Sequence, residues 1–270
     1  NIMGTFNKNN IIIPTQSRKG VNEKDVDNPN LYVAPLGGAI YNTGKLNLSN
    51  AVFTSNSVSA KVDLVTAVYN PPNSLMAQDT ITKYVGRGGA IYTDSTENLL
   101  ILKSTFTKNS AAQSGGAIHN NNADSVVDII DSDFTSNTAK TEKITTHTTT
   151  IMNGSKTKTT TTKTKETIGD GGAIYAAGNV EINTNEEYKT LVDSSNKFDK
   201  NAAANGGAVY AGGTVNGQFA SFSNNSATNN GGAIYTKNNV DFKNSTFSKN
   251  SATSDGGAIY GKHVTVQDNR

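Results

Sequence analysis

The chain has 270 residues, 34% of them hydrophobic and 17% charged, with 24 Lys and Arg set against 22 Asp and Glu. Both signs are interspersed, so no basic field recruits nucleic acid, and zero cysteines exclude disulfide frameworks and thiolate metal sites. The longest apolar stretches, such as Leu99-Leu100-Ile101-Leu102, are strand-sized, so this segment carries no membrane-spanning helix.

In chain order, two motifs alternate. Phe6-x-x-Asn9 comes first, followed by an insertion at about 10–36 and then Gly37-Gly38-Ala39-Ile40-Tyr41. Phe53 and Asn56 lead to a second insertion, about 58–86, before Gly88-Gly89-Ala90-Ile91-Tyr92. Phe106 and Asn109 run directly into Gly115-Gly116-Ala117-Ile118, where His119 stands in the tyrosine position. Phe134 and Asn137 precede a Thr- and Lys-rich insertion at 140–169, after which Gly171 opens the next copy and Tyr175 follows its isoleucine. A smaller insertion falls within 181–196, and the rest is regular: Phe198, Asn201, Tyr210, Phe222, Asn225, Tyr235, Phe247, Asn250 and Tyr260. The last three glycine pairs begin at 206, 231 and 256, a period of 25 residues.

The unit from Gly231 to Asp255 explains the repeat physically. The glycine pair supplies a tight corner because it reaches positive φ without a Cβ penalty. Ala-Ile-Tyr, then Val240-Asp241-Phe242, then Thr246-Phe247-Ser248 read as three short strands separated by Asn-containing turns. No helical periodicity occurs. The expectation is an all-β chain: one domain over 1–270, a right-handed single-stranded parallel β-helix (a solenoid) of about eight coils. Insertions at one corner leave the stack as protruding loops. Phe6, Phe53, Phe106, Phe134, Phe198, Phe222 and Phe247 should form one interior ladder, and Asn9, Asn56, Asn109, Asn137, Asn201, Asn225 and Asn250 a polar one. A β-sandwich also has many short strands, but its strands do not repeat identical peptides at constant period.

Gly-Gly-Ala-Ile/Val alternating with Phe-x-x-Asn resembles the repeats of chlamydial polymorphic membrane proteins and related autotransporter passenger domains. The resemblance covers most of 31–57, 86–139 and 168–270. It implies a secreted β-helix, held at the bacterial cell surface by a C-terminal β-barrel and acting in adhesion.

Candidate binding features are few. The residue after each Ile or Val should alternate outward, making Tyr41, Tyr92, His119, Tyr175, Tyr210, Tyr235 and Tyr260 a candidate exposed binding face for sugars, peptides or a neighbouring rod; stacked aromatics that only reinforce a sheet are the plainer alternative. The 140–169 insertion is expected to form a protruding hairpin with a Thr/Lys face, dispensable for folding. Asp124, Asp128, Asp131 and Asp133 are an acidic cluster; Asp131 and Asp133 are expected on one strand face at a spacing of ~6.6 Å, as in glycoside hydrolases. No acids recur at their phase in adjacent coils, so a solvated face is the expectation. No catalytic residue, cofactor or metal site is expected; His119, His147 and His263 stand in unrelated contexts. The chain begins with a lone Phe6-x-x-Asn9 and stops within the coil opened by Gly256. This pattern is expected either of a window from a longer solenoid or of identical chains stacking end to end in an extracellular fibre. The leading reading is an extracellular or cell-surface adhesin-like segment, not an enzyme, whose partner is a ligand on a host or neighbouring cell. The fibre protomer is second and a polysaccharide-active enzyme third.

Overall fold

A computed structural model describes residues 2–21, 32–66, 76–153, 156–184 and 195–268, and no helix occurs among them. Their strands form three sheets of 13, 10 and 7 strands, with the chain passing from one to the next and returning to pair in parallel with its own preceding pass. The all-β, stacked-repeat architecture is therefore as expected.

The register follows the motifs. In the seven-stranded sheet, Ile40, Ile91, Ile118, Ile174, Val209, Ile234 and Ile259 align one over another. In the 13-stranded sheet the motif phenylalanines do the same, from Phe6 to Phe247. Their rings stack at centroid separations of 4.5–5.0 Å with planes within 6°. Phe53, Phe106, Phe134, Phe198 and Phe222 are fully buried in one core that runs along the stack with the Ile/Val column. Each such side chain contributes about 1.5–3 kcal/mol of transfer free energy, so a thin core becomes stable by repetition.

The asparagines make the polar counterpart. Each Oδ1, from Asn56 to Asn250, accepts two hydrogen bonds from the preceding asparagine, one from its backbone N–H and one from its Nδ2, at 2.8–3.1 Å. The second Nδ2 hydrogen goes to the carbonyl of the motif phenylalanine one pass earlier, as Asn109 does to Phe53 at 3.0 Å. Every polar atom of these amides is used, which is why a polar residue tolerates complete burial here.

Corners come in two kinds. At the glycine pair there is no room for a side chain: a Cβ on Gly171 (φ +65°) would sit 2.1 Å from the Ile174 carbonyl oxygen, and one on Gly172 would sit 2.0 Å from the Gly207 oxygen. The other corners are left-handed without glycine. Asn50, Lys103, Asp131, Asn183, Phe219 and Asn244 (φ 46–54°) form one such column, and Lys8, Ser55, Lys108, Ser136, Lys200, Asn224 and Lys249 (φ 53–57°) form another just before the asparagine ladder.

The insertions are strands that pair with one another. Asn10–Val21 pairs in parallel with Ser57–Thr66. Ser57–Thr66 pairs antiparallel with Met76–Val85, Met76–Val85 with Thr141–Asn153, and Thr141–Asn153 with Lys156–Ile168. These five strands extend the ten-stranded sheet into a wing with its own apolar cluster of Val21, Tyr32, Ala60, Val62, Leu64, Ile81 and Val85. Residues 22–31, 67–75, 154–155 and most of the fourth insertion, 185–194, lie outside the described residues.

Candidate binding surfaces

The aromatic column sits on the face of the seven-stranded sheet opposite the Ile/Val column. Tyr41, Tyr92, His119, Tyr175, Tyr210, Tyr235 and Tyr260 stack at 4.5–5.4 Å with planes within 19°. The expectation of an exposed face needs correction. Tyr41 is 56% exposed, but Tyr92, His119 and Tyr235 are only 4%, 3% and 9% exposed, and Tyr175, Tyr210 and Tyr260 are half-buried. At strand spacing each ring covers the faces of its two neighbours, so only ring edges reach solvent.

A second column, not singled out from the sequence, runs beside it. Leu36, Arg87, Ser114, Asp170 and Asn205, each immediately before a glycine pair, bridge in parallel from pass to pass. Arg87 donates through Nε to Gln113 Oε1 at 3.2 Å, and Asn205 Nδ2 donates to Asp170 Oδ1 at 2.9 Å. Burial raises the Asp170 carboxyl pKa, opposed by the Asn205 hydrogen bond. Burial, with the Asp170 charge beside it, pushes the Tyr210 phenol up to about 12. The signal for this column was available: it occupies one fixed motif position.

His119 explains how a ring nitrogen fits a tyrosine slot. Ser114 Oγ lies 2.8 Å from Nδ1, and Asn121 Oδ1 lies 3.4 Å from Nε2. With the proton on Nε2, the serine hydroxyl donates to Nδ1. Burial first, then the Arg87 charge, lowers the imidazole to about 3. Burial and the Arg87 charge thus favour the neutral imidazole, which pairs with the serine hydroxyl inside the column.

The acidic cluster disperses. Asp124 is exposed in a turn, its N–H donating to Asn122 Oδ1 at 2.9 Å. Asp131 lies at a left-handed bend, whereas Asp133 opens the next strand beside Lys197, so the two do not share one strand as expected. Asp128 pairs in register with Glu181, correcting the expectation that no acid recurs at its phase; the insertion within 181–196 hid that alignment. Glu181 is engaged by Asn216 Nδ2 and Thr184 Oγ1, both at 2.9 Å. Among the described residues no group of three or more His, Asp or Glu side chains is placed to hold a metal. His147 contacts Asp79 Oδ1 through Nδ1 at 2.5 Å and Thr149 Oγ1 through Nε2 at 2.9 Å, and His263 is exposed on the strand His263–Gln267.

The Thr/Lys segment is a long antiparallel hairpin, with Thr148 opposite Thr161 and Thr146 opposite Lys163. Near its base, Tyr32, Lys83, Tyr84, Gln113, Lys143 and Glu166 line a pocket of about 330 Å³, with Lys83 Nζ 4.9 Å from the Tyr32 ring centre. Its walls come from three insertions and from Gln113 of the repeat, so local sequence carried no sign of it.

No curated protein and no solved structure matches the chain. The Chlamydia polymorphic membrane protein repeat matches at residues 103–121, 220–237 and 244–262. Each match runs from the phenylalanine–asparagine corner through the next glycine pair to its strand, the interval whose side chains form the Phe, Asn and Ile columns. The chain thus carries, at three places, repeats of the Chlamydia polymorphic membrane protein type.

Proposed function

We propose that this chain is an adhesin-like, non-catalytic segment of a surface-exposed, autotransporter-type passenger, folded as a right-handed single-stranded parallel β-helix of about eight coils. The repeat matches carry this reading: they lie on the motifs that build the stack, so the resemblance concerns the scaffold itself. The registered order of the three sheets supports the helical path, since each pass pairs with the one before it. A long, stiff stack with a polar wing suits display of a surface away from the cell, where binding needs area rather than a chemical centre. Its partner is then a ligand on a host or neighbouring cell.

Beads coated with the purified chain should adhere to host cells above beads coated with an unrelated β-protein. Antibody to the chain should label intact, unpermeabilised bacteria. Absence of both, or turnover of any polysaccharide in a panel of acidic and neutral glycans, would overturn the reading.

A further inference from the structure

The two left-handed corner columns differ in what they carry. Asparagine, among the residues that adopt φ > 0 most cheaply, fills three of the six positions of one column, Asn50, Asn183 and Asn244. The column before the asparagine ladder has no glycine and only one asparagine in seven positions, and four of the seven are lysine. A left-handed conformation costs a residue of this type about 1 kcal/mol or more, so this position retains a long cation against the local preference.

The lysines are also periodic in space. Backbone bonds stack the column in the order Lys8, Ser55, Lys108, Ser136, Lys200, Asn224, Lys249, which places lysine on every second pass. At twice the strand spacing, neighbouring lysines are about 9.6 Å apart along a straight line. All four are exposed. On one side lie Thr107, Thr135 and Ser223, with Asp199 interrupting the row, and on the other Ser110, Thr138 and Ser226, interrupted by Ala202, so hydroxyls flank the cations on most passes. The acid beside the column, Asp199, accepts from Ser223 Oγ and Asn224 Nδ2 at 2.7 and 2.8 Å, and Lys200, 3.7 Å from it, keeps a side chain that is 65% exposed.

We propose that this corner binds a linear acidic polysaccharide bearing one anionic group per disaccharide. An extended chain of that kind presents its anions at about the lysine spacing and its hydroxyls to the flanking Ser and Thr rows. A nucleic acid fits poorly: its phosphates recur at every nucleotide, and among the described residues no exposed aromatic platform stands beside the lysines. This assignment deepens the adhesive reading and rests on it, but its chemistry is measurable on the isolated chain.

The test titrates the 270-residue chain with hyaluronan oligosaccharides, which carry one carboxylate per disaccharide, with polygalacturonate (one per sugar) and neutral dextran as comparisons. Hyaluronan should bind most tightly, and salt should weaken it. Lys108→Gly with Lys200→Gly should weaken binding on the order of tenfold while the unfolding midpoint stays level or rises, because glycine relieves the left-handed corner. Lys103→Gln with Lys237→Gln, removing equal charge elsewhere, should change binding by less than about twofold. Lys108→Ser with Ser136→Lys, which keeps the charge but breaks the alternation, should weaken binding as well. Lack of hyaluronan binding, equal binding of polygalacturonate, or indifference to the displaced lysine overturns the proposal. Tight binding by a chain whose beads ignore cells sinks the adhesin reading alone; bead adhesion unaffected by the paired glycine substitutions sinks this ligand alone.

Discussion

At the scale of single residues, buried polar side chains are the discriminating feature. Asn225 is fully buried and its side chain serves four groups: Asn201 N–H, Asn201 Nδ2, the Phe198 carbonyl and Asn250 Oδ1. Asn225→Leu keeps the branching but adds bulk and strands these groups, and a loss of about 2–4 kcal/mol is expected from chemical denaturation. His119 gives a pH signature. Its folded-state value of about 3 lies below the ordinary 6.5, so the folded protein binds fewer protons and stability is complete only above pH 6.5. Between 6.5 and 3 this residue should remove about 1.4 kcal/mol per pH unit. His119→Tyr should flatten that part of the stability–pH curve; an unchanged slope would show that the imidazole is not held neutral.

At the scale of elements, the glycine corners and the wing respond differently to change. Gly172→Ala would place a methyl carbon 2.0 Å from a backbone oxygen of the next pass, which backbone cannot yield cheaply, so soluble expression should collapse. The hairpin is separable. Excising 141–168 joins Lys140 to Gly169 and leaves five residues between Asn137 and Gly171, the same interval as between Asn109 and Gly115. Cooperative β-sheet unfolding should persist, but the newly bare edge of Met76–Val85 should promote self-association, visible by light scattering. Loss of the cooperative transition would show that the hairpin supports the stack.

At the scale of the whole molecule, stability is a sum over neighbouring passes. Deleting 231–255, one complete 25-residue period, should bring Gly256 onto the Gly206 pass in unchanged register. The variant should remain folded by circular dichroism, with a lower denaturation midpoint because one interface is gone. An unfolded product would mean that the passes are not equivalent.

Much of this was legible in the chain itself. Gly-Gly-Ala-Ile and Phe-x-x-Asn announced all-β repetition, the stacked phenylalanines and the asparagine column, because each motif position meets only its own copy in the next pass, so one short peptide encodes both partners. What tertiary structure decided has a different physical origin. The insertions pair across long sequence distances, as with Asp79 and His147, 68 residues apart, and no local pattern encodes that register. Burial of His119, Tyr92 and Tyr235 comes from rings above and below rather than from their own alternation. The alternating lysines each stand directly before a ladder asparagine, a fixed motif position, but only stacking shows that the series 8, 108, 200 and 249 forms a line with lysine on every second pass. Repeated chemistry is written in the sequence, whereas the surfaces built between unlike passes exist only once the stack has formed.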